Sequence, residues 1–436
     1  MEENRRDAGL VRAVGTWGLA ASIINVVVGS AIFVVPAALA ANIGPYAPFA
    51  ILLCAVAVGS VAICFAEGGS RIASSGGVYS SIQAAFGPLA GYVAGTMLWV
   101  SDVLAAGGIA VAFADICVSL LPPGLKATAH ALIVVGTIGG IACINIGGVT
   151  GAIRLVNVTS VLKLLALAIF LLAGASAIHL QNFHQSVAFS DSGIGRAVIL
   201  ALFAFMGMET SLAASGEVKQ PARTIPRALL LAMVLVTLLY VGIQVVSQGI
   251  LGPALATSAA PLSDAMARIS PTLRVLVLAG TALSMFGYLS SDLLGSPRIL
   301  FAFARDGLLP RVLGRVHERT RAPHIAIACY ATLAIVLALT GTFSELAILS
   351  ALSNAPFYIA GCAASWQLAH RGIARAGTPL NFRWLTLAVV VGITSMLVLI
   401  AFASRTEILG LCALIGASIV VYVLQTQVAL RRSANS

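Results

Sequence analysis

Apolar residues in this chain run in long blocks rather than alternating with polar ones, and the blocks recur from end to end. Their limits fall at roughly 14–41, 44–69, 86–120, 127–148, 152–178, 195–214, 226–251, 273–303, 323–341, 344–369, 382–403 and 407–430. A helical bilayer crossing takes about 20 apolar residues, and each block is long enough. Turn-rich breaks separate several of them: Asn42-Ile43-Gly44-Pro45, Ala73-Ser74-Ser75-Gly76-Gly77, Pro122-Pro123-Gly124 and Gly252-Pro253. The pattern predicts an all-α integral membrane protein of about twelve transmembrane helices joined by short loops.

Two blocks carry an interruption. The first contains Val28-Gly29-Ser30-Ala31-Ile32-Phe33 and the sixth contains Phe205-Met206-Gly207-Met208-Glu209-Thr210. Glycine lowers helix propensity, and Ser or Thr offers the backbone competing hydrogen bonds. Non-helical backbone is tolerated at membrane depth only where it meets protein or lines a cavity. Interruptions at corresponding places in two halves point to a transporter's midplane binding site. The competing reading is close helix packing, since glycine is common in membrane helices.

Composition changes this picture little but closes off other classes. Hydrophobic residues make up 59% of the 436 and charged residues 9%, against about 25% charged in a soluble domain. The twelve crossings leave no room for a separate soluble domain, so residues 1–436 read as one transmembrane domain. The formal charge of +10 is a matter of placement. Of the 25 Lys and Arg, nineteen fall in loops on one side, five of them between Arg305 and Ala322, and five fall on the other. Positive loops remain cytoplasmic, so both termini are expected inside a cell inner membrane. The basic face can touch anionic lipid headgroups, and no nucleic-acid partner is indicated. The seven cysteines sit in apolar runs without paired spacing and read as small core residues, with no disulfide framework. The basic N-terminus precedes an apolar run too long for a signal-peptide core, so an uncleaved first helix is expected.

Among the charged residues inside the blocks four stand out, while Asp115, nearer a block end, counts for little. Lys163 stands about ten residues into the fifth, where a charged lysine costs roughly 2.5–3.5 kcal/mol on insertion scales. It needs an acidic or carbonyl partner, or it loses its proton. Asp102, Glu209 and Asp292 are intramembrane carboxyls, functional candidates by default. Two of them on one pocket would favour an amine or guanidinium group by direct pairing. Equally, they could cap helix ends or pair with arginines. The six histidines lie near or beyond the block ends without ligand spacing, so no metal site is expected. No Gly-x-Ser-x-Gly, His-Glu-x-x-His or Gly-x-x-x-x-Gly-Lys motif supports an enzyme. No charged ring or repeated filter supports a channel.

At these residues the chain resembles the amino acid–polyamine–organocation transporter superfamily, of the bacterial amino acid permease type. The resemblance covers about Gly15 to Pro323 and thins over the last two blocks. Gly29-Ser30-Ala31-Ile32-Phe33 with Pro36 is similar to the family's Gly-Ser-Gly-Ile-Phe segment in an unwound first helix. Gly76-Gly77-Val78-Tyr79 with Phe86-Gly87-Pro88 resembles its re-entrant loop. Phe205 to Glu209, Glu217-Val218-Lys219-Gln220-Pro221 and Ile225-Pro226-Arg227-Ala228 resemble the sixth helix and its exit. Ser296-Pro297-Arg298 and Ala304-Arg305-Asp306-Gly307-Leu308-Leu309-Pro310 resemble the end of the eighth. One departure is Ala31, where the family usually has glycine; its methyl group crowds the backbone used to hold a substrate carboxylate.

The resemblance implies a LeuT-like inverted five-plus-five repeat (1–178 and 195–369) plus two C-terminal helices (382–430), working by alternating access. It implies that Gly29, Ser30 and Ala31 hold a substrate carboxylate, as the partly positive start of a half-helix can. Carbonyls around Phe203, Ala204 and Phe205, next to Gly207, would hold the ammonium, with Phe203 or Phe205 as an aromatic gate; ordinary core or lipid packing of both rings is the alternative. Lys163 matches a lysine that replaces a sodium ion in proton-coupled and exchanging members, contacting the first and eighth helices, here near Gly29 and Ser284. Glu209 matches a proton-sensing acid, and Asp102 and Asp292 align with pocket positions. The expected function is secondary active transport of amino acids or related amines, a proton symport through Lys163 without a cofactor. Obligate exchange, or a cationic amino acid or polyamine carrier using Asp102 and Asp292, are the alternatives.

Overall fold

The computed structural model describes residues 14–72, 77–119, 121–147, 149–184, 191–212, 218–305, 307–320 and 322–434. Gly76, Glu217, Asp306, Arg5, Arg6, Arg12 and Arg321 lie outside them. Among the described residues nine stretches are helical, long and apolar enough to cross a membrane, and three further apolar helices run 10–17 residues.

The first crossing is two helices, α1 (Thr16–Val27) and α2 (Val35–Ile43), joined through a single 3-10 turn at Ala31–Phe33. Then follow α3 (Ala47–Arg71), the short α4 (Val78–Phe86), α5 (Pro88–Ser119), α6 (Lys126–Gly147) and α7 (Val149–Gly174). The sixth crossing is again split, into α8 (Asp191–Phe205) and α9 (Met208–Leu212). Next come α10 (Pro221–Leu251), α11 (Pro261–Ala267), α12 (Pro271–Gly295), α13 (Pro297–Arg305), α14 (His324–Thr340) and α15 (Phe343–His370). The chain closes with α16 (Leu385–Ala401) and α17 (Arg405–Ala434).

Local chemistry explains where the long blocks divide. Pro36 is the second residue of α2, where its missing N–H is one the helix start would leave unpaired anyway. Gly207 has φ of 112° between α8 and α9, a conformation open to glycine. Gly87, at φ 91°, separates α4 from α5, so the expected crossing at 86–120 is preceded by its own short helix. The block at 273–303 bends at Ser296-Pro297, because Pro297 cannot donate to the preceding turn.

The split helices pack crosswise, α1 against α9 and α2 against α8. A backbone tie joins their ends on the arginine-rich side, where the Lys219 N–H donates to the Val14 carbonyl at 2.8 Å. α5 lies along α15 closely enough for Ser101 and Ser350 hydroxyls to meet at 3.1 Å. A Cβ on Gly108 would stand 3.3 Å from Leu346, so glycine sets that approach.

Two expectations are corrected. Only Cys54, Cys64 and Cys362 are core residues; Cys117 is half-buried, and Cys143, Cys329 and Cys412 are exposed. In lipid the outer surface is as apolar as the interior, so an apolar run alone does not say which way a thiol faces. Arg71 is not part of a basic headgroup-facing surface. It is buried and ion-paired to Glu67 at 2.7 Å.

Candidate functional site

The two breaks face each other. A Cβ on Gly207 would stand 3.0 Å from the Val26 side chain and 3.4 Å from its carbonyl oxygen. Around them lies a cavity of about 590 Å³. From the breaks it runs toward the arginine-rich end, where Ile299, Ala302 and Arg305 line it. Near its other end the Phe203 and Phe343 rings meet edge to face, their centroids 5.9 Å apart.

The end of α1 and the break after it leave carbonyls without helical donors, and those of Asn25, Val27 and Gly29 meet side chains of other elements. Lys163 Nζ donates to the Asn25 carbonyl. The Tyr240 hydroxyl reaches the Val27 carbonyl at 2.7 Å. Ser284 Oγ donates to the Gly29 carbonyl at 3.3 Å. At the end of α8 the Ala204 carbonyl stands 2.8 Å from the same Tyr240 hydroxyl. The N–H groups of Ser30, Ala31 and Ile32 begin the 3-10 turn, the positions a helix start leaves open.

Gly29, Ser30, Ala31, Phe203, Ala204, Gly207, Asp102, Asp292, Lys163, Glu209 and Ser284 all line the cavity. Phe205 does not: it is fully buried, with its ring 5.0 Å from that of Tyr240. The cavity-facing aromatic ring of α8 is therefore that of Phe203. At helical spacing, residues two apart point to different sides, which an apolar run cannot disclose.

Lys163 is 7% exposed and is held by a carbonyl rather than a carboxylate. Its donor meets the C-terminal end of α1, where partial negative charge favours a cation. Glu209 is 5% exposed and accepts from Asn354 Nδ2 at 3.1 Å, the Tyr358 hydroxyl at 3.0 Å and the Gly207 N–H at 3.3 Å. Asp102 and Asp292 are half-buried, and among the described residues neither caps a helix end nor pairs with an arginine. Ser296 Oγ lies 2.8 Å from Asp102 Oδ2 and 3.1 Å from Asp292 Oδ1, and the Tyr330 hydroxyl donates to Asp292 Oδ2.

Several of these partners escaped the sequence reading: Asn25, Tyr240, Tyr330, Asn354 and Tyr358. A faint signal existed, because a tyrosine hydroxyl or an amide within an apolar run needs a partner. Ser284, Tyr288 and Asp292 also recur every fourth residue on one face of α12, and Ser296, the residue after its end, continues the spacing. Among the described residues no group of His, Cys, Asp and Glu could hold a metal ion.

Comparison with known proteins gives a consistent set of relatives. Residues 14–424 match the family described as Amino acid permease. The chain is similar to a branched-chain amino acid permease of Lactococcus lactis, 29% identical over 366 residues, covering 77% of each chain. It is similar to an uncharacterized transporter of Mycobacterium tuberculosis, 30% identical over 74% of this chain and 73% of the other. It also resembles a serine/threonine exchanger of Bacillus subtilis, 27% identical over 81% of this chain and 82% of that one.

Proposed function

Since the chain belongs to the amino acid permease family, we propose that it carries amino acids across the cytoplasmic membrane by alternating access, coupled to protons through Lys163. The amino acid assignment is supported by relatives named for branched-chain amino acids and for serine and threonine. Both termini are assigned to the cytoplasm from the excess of arginine in the loops on that side. The end of the cavity lined by Arg298, Ala302 and Arg305 then faces the cytoplasm.

The observation that carries the coupling is the Lys163 bond to the Asn25 carbonyl, two residues before α1 ends. A protonated amine attracts the partly negative end of α1; a neutral one does so much less. Proton occupancy thereby biases how firmly α1 is held against α7, and so which side the cavity faces. In proteoliposomes, an inward proton gradient should drive accumulation of a transported amino acid. Lys163→Ala should abolish that accumulation while leaving counterflow measurable. Gradient-driven accumulation by Lys163→Ala at the wild-type level would refute the coupling role. The similarity to a named exchanger favours a second reading, and uptake confined to preloaded vesicles would select it.

A further inference from the structure

The cavity wall carries a carboxyl pair that forms no ion pair among the described residues. Asp102 on α5 and Asp292 on α12 both line it. One hydroxyl, that of Ser296, stands within hydrogen-bond distance of both, at 2.8 and 3.1 Å. A serine hydroxyl has one proton, so it serves one carboxyl at a time. Lys163 and Arg298 also line the cavity, yet among the described residues the ion pairs are Arg71 with Glu67 and His130 with Asp115. Two carboxyls held this close favour sharing a proton or receiving a cation.

A second, separate observation marks the other end of the same cavity. The Ser30 hydroxyl, at the first break, is 1% exposed and has no hydrogen-bond partner among the described residues, although it lines the space. α12 supplies a ruler between the two ends. Tyr288 lies 3.5 Å from where a Cβ on Gly29 would sit, and Asp292 is one turn further along. Four residues rise about 6 Å. An extended side chain of four methylenes and an amine, with bonds near 1.5 Å, also spans about 6 Å.

We propose that the substrate is an amino acid bearing a side-chain ammonium on a four-methylene stem, such as lysine. Its α-groups lie at the break around Gly29 and Ser30, and its ammonium lies between Asp102 and Asp292. The inference rests on the amino acid reading above and narrows it. The three N–H donors of the ammonium match acceptors on Asp102, Asp292 and the Ser296 hydroxyl. A purely apolar side chain would leave the carboxyl pair facing it uncompensated.

The test compares lysine with norleucine, which lacks only the terminal amine, in thermal stabilisation of the purified full-length protein. Lysine should act at concentrations about tenfold or more below norleucine, since a site built to pair with a polar group rejects the analogue lacking it. Asp102→Asn and Asp292→Asn should each shrink that preference toward parity. Norleucine equal to or better than lysine in the wild type overturns the proposal, as does a preference that survives both substitutions. Because the wild-type comparison needs no variant, a folding defect in either substitution leaves the test standing. Stabilisation by leucine without a lysine preference refutes this inference alone. No stabilisation by any amino acid refutes the transport reading and this inference together.

Discussion

The Tyr240 hydroxyl stands 2.7 Å from the Val27 carbonyl oxygen, and the Ala204 carbonyl oxygen is 2.8 Å from it on the other side. A single fully buried side chain from α10 thus joins the ends of the two interrupted helices. With one proton to donate, it bonds one carbonyl strongly at any moment while keeping the other close. Tyr240→Phe should cost about 1–3 kcal/mol, the penalty of stranding a buried polar group. The thermal unfolding midpoint and the counterflow rate should both fall. Wild-type stability in Tyr240→Phe would show that the Gly29 N–H, 2.6 Å from the Val27 carbonyl, suffices without the tyrosine.

Gly207 is held at φ 112°, with the Val26 side chain 3.0 Å from a Cβ placed there. Gly207→Ala should therefore destabilise by about 1–3 kcal/mol through backbone strain and push the two breaks apart. Substrate-dependent thermal stabilisation should shrink along with the midpoint. If stabilisation by substrate is unchanged, the close approach of Gly207 to Val26 is not needed for binding.

Phe203 and Phe205 differ by two positions yet face opposite ways. Phe205 is fully buried against Tyr240, whereas Phe203 lines the cavity and meets Phe343. Phe205→Ala should lose about 3–5 kcal/mol of stability, as for other buried aromatic truncations. Phe203→Ala should lose less stability and raise the KM for transport more. Equal effects of the two substitutions on stability and on KM would contradict this division.

Glu67 and Arg71 form an ion pair with side chains 0% and 5% exposed, and both also hold the segment that leads into α16. Glu67 Oε2 accepts from the Phe382 N–H at 3.0 Å, and Arg71 Nη2 donates to Asn381 Oδ1 at 2.7 Å. Glu67→Ala leaves a buried guanidinium uncompensated and should cost about 3–5 kcal/mol. The double change Glu67→Leu with Arg71→Met should recover part of that loss in thermal unfolding. A single variant with an unchanged midpoint would mean that water reaches Arg71.

Much of the architecture was legible before any coordinates. Block length and the scarcity of charge dictate apolar helices in lipid, because backbone polar groups must be satisfied within each crossing. Gly29 and Gly207 marked the interruptions, since local propensity acts within a few residues. Lys163, Asp102, Glu209 and Asp292 stood out because charge is costly in those blocks. What each of these groups bonds to depended on residues far away in the chain, from Lys163 and Asn25, 138 positions apart, to Asp102 and Ser296, 194 apart. Direction was equally hidden: in lipid both the core and the outer surface are apolar, so hydropathy could not separate Phe203 from Phe205 or a buried cysteine from an exposed one. The sequence alone determined that helices cross a membrane and where two of them break, for those are questions of solvent and local backbone energy. Only the tertiary structure decided which carbonyl each donor meets and which side chains face the cavity, because long-range packing brings those atoms within hydrogen-bond reach.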